Sequence, residues 1–218
     1  MDIIYQNDNL VIINKPAGIA SIPERDGATQ NLLALVQEQL GMKVFVVHRL
    51  DKEVSGAIIF AKNEDAHRDL CRMFERRDVE KHYIALLHGI PHTDNGEINL
   101  PLKQFGSGRV GVSPEGKASK TIYSVARKWK FYSLADVSIE TGRRHQIRAH
   151  FYAIGHPVAG DTRYGDKGIQ SHFPRLMLHS HKIAFELDGE AISATAPLPQ
   201  MFGEVLEKVE NGGFDNLQ

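Results

Sequence analysis

The groups with the most chemical promise in this 218-residue chain lie in two short segments. One is "HRLDKEVSG" (48–56), where His48, Arg49 and Asp51 follow the apolar run "VFVV". Three ionisable groups at the end of an apolar strand are costly to desolvate unless they are paired or used. The other is "TGRRHQIRAH" (141–150), which carries Arg143, Arg144 and Arg148. On a helix, Arg144 and Arg148 share a face beside Ile147 and Phe151, at the border of a core. An arginine so placed holds a carboxylate by a forked, charge-assisted pair. Such a pair favours the charged carboxylate, a nucleophile and not an acid. The other reading of Asp51 is an ordinary Asx-turn residue before a glycine turn.

Other chemistries lack their residues. No Gly-rich phosphate loop ends in Lys-Ser/Thr, no strand is followed by GxGxxG, and no GxSxG marks a serine nucleophile. Eleven histidines invite a metal, but His145 and His150 are five apart and miss the i, i+4 spacing of a helical ligand pair. His179 and His181 alternate on a strand without a nearby third ligand. No metal is expected. Cys71, the single cysteine, falls with Leu70 and Phe74 on the expected core face of a helix, so it reads as a core residue and not a nucleophile.

The elements that must position these residues follow from pattern. Strands are expected at 3–5, 10–14, 44–48 and 57–62, and a turn at "KPAG" (15–18). A helix is expected over 29–40 with Gly41 as its stop, and another after Asn63 as its cap. Residues 81–139 read mostly as strands joined by glycine-rich turns. A helix is expected over "RRHQIRAHFYAIG" (143–155), a strand at 175–185 and a final helix at 199–210. Strands outnumber helices and few β-α-β alternations occur, which predicts an α+β fold with a largely antiparallel sheet.

Charge is uneven. Net charge is −1, but residues 101–150 carry 10 Lys/Arg against 3 Asp/Glu, while the flanking stretches are each net −4. A basic block in an acidic chain marks either a localised polyanion site or a solvated basic hairpin. Arg68, Arg72 and Arg76 form a row offset by nearby acids, the pattern of a solvated face. No apolar run is long enough to span a bilayer, and no signal peptide is expected from "MDIIYQNDNL". The single cysteine points to a reducing compartment, the cytoplasm.

Seven segments in order carry a family resemblance: "NKPAG" (14–18), "HRLDKEVSG" (48–56), "KHYIALLHG" (81–89), "GKASKTIYSV" (116–125), "TGRRHQIRAH" (141–150), "GHPVAGDTRYG" (155–165) and "RLMLH" (175–179). The chain resembles the RluA-type pseudouridine synthases over nearly its whole length. The resemblance implies a pseudouridine-synthase-like mixed, mainly antiparallel sheet split by a central catalytic cleft and flanked by helices and loops. It implies a cofactor-free isomerisation of uridine in RNA, in which the N-glycosidic bond breaks, the base rotates and C5 is joined to the sugar.

By the same resemblance Asp51 is the nucleophile, attacking either C1′ or the base. Tyr83 lies against the target base and is a candidate for proton handling at C5. Arg148 is the arginine that pairs with the aspartate. Arg49 helps fill the gap left by the flipped uridine, and Leu178 is an apolar wall. Flipping costs a few kcal/mol, part of which an aromatic face and a guanidinium return. The basic block then faces RNA, with Lys103, Arg109, Lys117, Lys120, Arg143 and Arg144 as phosphate candidates and His48 grouped with the substrate contacts.

Two departures stand out. Val54 replaces a threonine common in the family, with a small effect expected on Asp51. "NKP" begins at residue 14, so a single catalytic domain over 1–218 without the small N-terminal S4-type RNA-binding domain is expected, with loops 19–30 and 103–120 recognising RNA. The expected partners are tRNA or a stem-loop of large-subunit (23S) rRNA, met by a monomer, with no membrane. The rival from another class is a non-catalytic RNA-binding or RNA-folding factor, which predicts a disrupted aspartate, tyrosine or arginine; all three are present. A glycosidase would need a second carboxylate near Asp51, and Glu53 reads as a solvated turn residue.

Overall fold

The computed structural model describes residues 1–23 and 30–217. Part of the loop 19–30 therefore lies outside the described residues. The chain forms two compact units, Met1–Lys81 with Ser180–Leu198, and His82–His179 with Pro199–Gln218. Among the described residues, no helix is long and apolar enough to cross a membrane.

The first unit contains β1 (Asp2–Gln6), β2 (Leu10–Lys15), α1 (Leu32–Leu40), β3 (Phe45–Val46), β4 (Ser55–Ala61) and α2 (Glu64–Arg76). Strand β2 pairs antiparallel with β1 and β4, and β3 pairs antiparallel with β4. Every residue of β4 is buried, which its unbroken "SGAIIFA" requires. Helix α1 starts at Leu32, later than expected, because the Asn31 side chain accepts the Ala34 N–H and caps it; Gly41 ends it with φ 63°. Asn63 caps α2 through the Ala66 N–H, as its sequence predicts. Arg68 and Arg72 pair with Asp65 and Asp69 on the solvated face. Cys71 is only half-buried, because the buried stripe of α2 runs through Ala66 and Leu70. Burial still pushes its thiol pKa up, with Glu75 adding to the shift.

The second unit contains β5 (Glu80–His88, entered from the first unit), β6 (Asn95–Asn99), β7 (Leu102–Gln104), β8 (Val110–Val112), β9 (Lys120–Lys128), β10 (Tyr132–Ile139), α3 (Gln146–Ala153) and α4 (Lys167–Gln170). Strands β5, β10, β9 and β6 pair antiparallel in that order. Strands β7 and β8 form a separate hairpin. The chain returns to the first unit along β11 (Leu178–Leu187), which turns into β12 (Glu190–Thr195). It then closes the second unit with α5 (Gln200–Glu210). The result is the expected mixed fold, mainly antiparallel with few helices.

The first unit's core joins Leu10 and Ile12 of β2, Ile59 of β4, Leu70 of α2 and Ile183 and Phe185 of β11. Gly56 lets β4 lie close to β11. Its φ is 113°, and a Cβ there would sit 2.1 Å from the Ser180 carbonyl oxygen, so no other residue fits.

Candidate active site

Asp51 is half-buried and opens a turn in which the Val54 N–H donates to the Asp51 carbonyl at 3.1 Å. Both sides of the turn are pinned. On one side the Ser21 hydroxyl donates to the Leu50 carbonyl at 2.8 Å and accepts the Leu50 N–H at 3.1 Å. On the other, Lys15 is fully buried and its Nζ donates to the carbonyls of Pro16 (2.9 Å), Lys52 (3.1 Å) and Val54 (2.7 Å). The Gly18 N–H adds a bond to the Lys52 carbonyl at 2.8 Å. The "NKPAG" segment is therefore the mould of the aspartate turn. Lysine suits it because three ammonium protons meet carbonyl dipoles at the end of β2. Val54 is 3% exposed and packs under the turn, while Lys52, Glu53 and Arg49 are exposed.

His48 is tied into the first unit's interior. Its Nε2 accepts the Ile59 N–H at 3.0 Å, which puts the ring proton on Nδ1. The ring stacks on Phe74 at 4.6 Å between centroids. Burial, with the nearby Lys81 charge, pushes its pKa down to about 3, so the ring is neutral.

In the second unit, Tyr83 lies on β5 opposite Val137 and is 7% exposed. Helix α3 brings Arg148, which is 3% exposed. Its Nε and Nη2 fork onto Asp161 at 2.7 and 2.9 Å. Asp161 also accepts the N–H groups of Arg163 and Tyr164. Gly160 precedes it at φ 78°, where a Cβ would lie 1.9 Å from the Arg175 carbonyl oxygen. The Arg148 guanidinium stands over the Tyr164 ring at 5.4 Å. The Tyr164 hydroxyl accepts the Val110 N–H at 3.1 Å and lies 2.9 Å from His145 Nδ1; burial raises its pKa. Asp161 and Tyr164 received no role from the sequence, although "GDTRYG" held the signal: an acid two residues before an arginine inside a glycine-bounded loop. Leu178 is 3% exposed at the start of β11, and its carbonyl accepts Arg175 Nη2 at 3.3 Å.

Helix α3 begins at Gln146, so Arg144 sits in the preceding turn and does not share a helical face with Arg148. The cause is local. His145 takes φ 52°, which a right-handed helix cannot continue. Gln146 Oε1 accepts the Arg143 N–H and the Thr141 hydroxyl, and its amide donates to the Lys120 carbonyl and the Thr121 hydroxyl. One turn on, His150 bonds the same Thr121 hydroxyl through Nδ1 and the Leu100 carbonyl through Nε2. Gln146 and His150 thus strap α3 to β9. Among the described residues, no group of three or more His, Cys, Asp or Glu side chains is placed to hold a metal.

The freed Arg143 and Arg144 line an open groove of about 410 Å³ with Lys103, Gln104 and Lys117 beside the β7–β8 hairpin. Lys103 also pairs with Glu115 on the groove's rim. Lys120 points elsewhere, bridged to Glu97 at 3.1 Å and Glu140 at 3.0 Å. Arg109 lies over the rings of Tyr152 and Tyr164 at 5.1 and 5.2 Å.

The profile of the RNA pseudouridylate synthase family matches residues 9–153, a span holding Asp51, Tyr83 and Arg148. The chain belongs to this family. It is 38% identical over 210 residues to the uncharacterised RNA pseudouridine synthase YhcT of Bacillus subtilis, covering 91% of this chain and 69% of that one. It is 37% identical over 204 residues to the dual-specificity RNA pseudouridine synthase RluA of Pasteurella multocida, covering 90% and 93%. The solved structure of human RNA pseudouridylate synthase domain containing 4 shares the fold, with a TM-score of 0.81 at 22% identity over 95% of this chain and 92% of that one. Human RNA pseudouridylate synthase domain containing 1 gives 0.79 at 26% identity, over 90% and 83%. As a pseudouridine synthase the protein is an RNA uridine isomerase, and its family acts on RNA.

Proposed function

We propose that this pseudouridine synthase uses Asp51 as its nucleophile on a uridine in a stem-loop of tRNA or large-subunit rRNA. The observation that carries the reading is the pinned turn. Ser21 and Lys15 fix the backbone on both sides of Asp51, a residue that is itself only half-buried. A preorganised nucleophile loses little freedom when substrate arrives. The balance is that of an isomerisation. Asp51 forms a bond to the sugar or the base and loses it again; over the cycle the bond from C1′ to N1 breaks, one from C1′ to C5 forms, the C5 proton leaves and N1 takes up a proton. Asp51 is released unchanged.

Tyr83 and Arg148 complete the catalytic set in the roles the family resemblance implies, with Arg49 at the flipped-out position and Leu178 as an apolar wall. Lys103, Lys117, Arg143 and Arg144 contact phosphates along the groove. The large-subunit rRNA target is supported by the name of a relative, a ribosomal large subunit pseudouridine synthase D of Nitrosomonas europaea, and the tRNA target by the family resemblance alone. A monomer acting in the cytoplasm is the state we infer, on the single cysteine and the family's substrate.

Tritium release from RNA labelled at uridine C5 tests this. Release from tRNA or 23S-type rRNA by the unchanged protein, reduced at least about 10⁴-fold in Asp51→Asn with RNA affinity kept, is expected. Normal turnover by Asp51→Asn would remove the nucleophile assignment. Binding without release from either RNA would place the substrate outside both pools.

A further inference from the structure

We infer that Arg109, with Phe105 and Tyr152, forms a stacking platform for an unpaired RNA base, and is not one of the phosphate contacts. This rests on RNA being the substrate. Arg109 leaves the β7–β8 hairpin and lays its guanidinium over two tyrosine rings, Tyr152 of α3 and Tyr164. Tyr164 is buried and fastened to the same hairpin through the Val110 N–H, so the support under the guanidinium is rigid. Arg109 itself is exposed, which leaves a planar cation open to solvent. Guanidinium planes and aromatic rings are the surfaces on which unpaired bases stack.

Two exposed rings adjoin it. Tyr152 is 47% exposed, and Phe105, 45% exposed, sits across the hairpin turn, its N–H donating to the Arg109 carbonyl at 2.9 Å. The turn is closed by the Gly108 N–H on the Phe105 carbonyl at 2.8 Å. The Phe105 ring lies over Gly111, where an added Cβ would meet it at 3.2 Å. The same hairpin contributes Lys103 and Gln104 to the basic groove. A cationic track beside planar groups is the combination that binds unpaired nucleic acid, the track taking the backbone and the planes taking bases.

The test separates plane from charge. Affinity is measured for an RNA stem-loop carrying 2-aminopurine in its loop and for a blunt RNA duplex of equal length, between about 50 and 200 mM salt. Arg109→Lys keeps the charge and loses the plane; Phe105→Ala removes the neighbouring ring. Each is expected to weaken stem-loop binding about tenfold, to reduce 2-aminopurine quenching, and to leave duplex binding and the salt slope unchanged. Wild-type affinity in Arg109→Lys, with a salt slope lowered by about one in Arg109→Ala, would make Arg109 a phosphate contact and overturn the platform. Wild-type quenching in both variants, from a protein that still releases tritium, would overturn the platform and leave the isomerase reading intact. A wild-type protein that neither binds nor turns over RNA would overturn both.

Discussion

Lys15 in the first unit and Arg148 in the second are both almost wholly buried cations, and they are held in different ways. Lys15 meets neutral carbonyl dipoles from Pro16, Lys52 and Val54. Arg148 meets a full opposite charge, the forked Asp161 carboxylate. The lysine acts as a point charge that gathers backbone, so it shapes a turn. The arginine acts as a flat fork that fixes one side chain against another, and through Asp161 it also orders the N–H groups of residues 163 and 164. The difference teaches that one unit stabilises the conformation of its Asp51 turn while the other stabilises the orientation of a charged group.

The largest expected effect breaks the fork. Asp161→Ala leaves a buried guanidinium without this carboxylate and costs about 3–5 kcal/mol of stability, read by urea titration. Lys15→Met leaves carbonyls short of a donor and costs about 2–3 kcal/mol. If Asp161→Ala proved the milder of the two, the charged fork would not be the stronger anchor. Lys15→Met also lowers turnover while leaving the affinity for duplex RNA within about twofold, because it loosens the Asp51 turn and not the basic groove.

His48 sharpens the picture of the first unit. Its folded pKa, about 3, lies below the ordinary 6.5. The unfolded chain therefore takes up a proton that the folded chain refuses. This contribution is fully present above pH 6.5 and is lost as pH falls from there toward 3. Between pH 6.5 and 5 the loss is at most about 2 kcal/mol. His48→Gln keeps an acceptor for the Ile59 N–H and cannot titrate, so its melting temperature is expected to fall less between pH 7 and 5. An equal fall in both proteins would show that His48 is not the titrating group.

The smallest effect concerns the hairpin latch. Tyr164→Phe loses the bonds to Val110 and His145 and costs about 1 kcal/mol, with its ring still beneath Arg109. A loss as large as that of Asp161→Ala would mean that the hydroxyl, and not the carboxylate, carries the second unit's order.

Much of this was legible in the residues. The strands at 10–14 and 57–62, the Asn63 cap and the Gly41 stop follow from period and cap chemistry, which act within a few residues. The family follows from seven ordered segments. The start of α3 is not legible, because periodicity continues smoothly through Arg144 whereas the helix begins only where Gln146 finds partners on β9. The half-burial of Cys71 is not legible either, because the apolar face of α2 is centred one residue away, on Leu70. The bond from the Ile59 N–H to His48 is not legible either, because sequence shows an ionisable group and not the backbone N–H that meets it.

The sequence alone determined the local elements, the basic block and the family, since each depends on neighbours along the chain or on an ordered motif. Only the tertiary structure decided that Lys15 moulds the Asp51 turn, that Asp161 holds Arg148, and that Arg109 lies on two tyrosines. Those partners stand between 13 and 55 residues apart in the chain, and a hydrogen bond or a ring contact over that separation exists only once the sheets have brought the strands together.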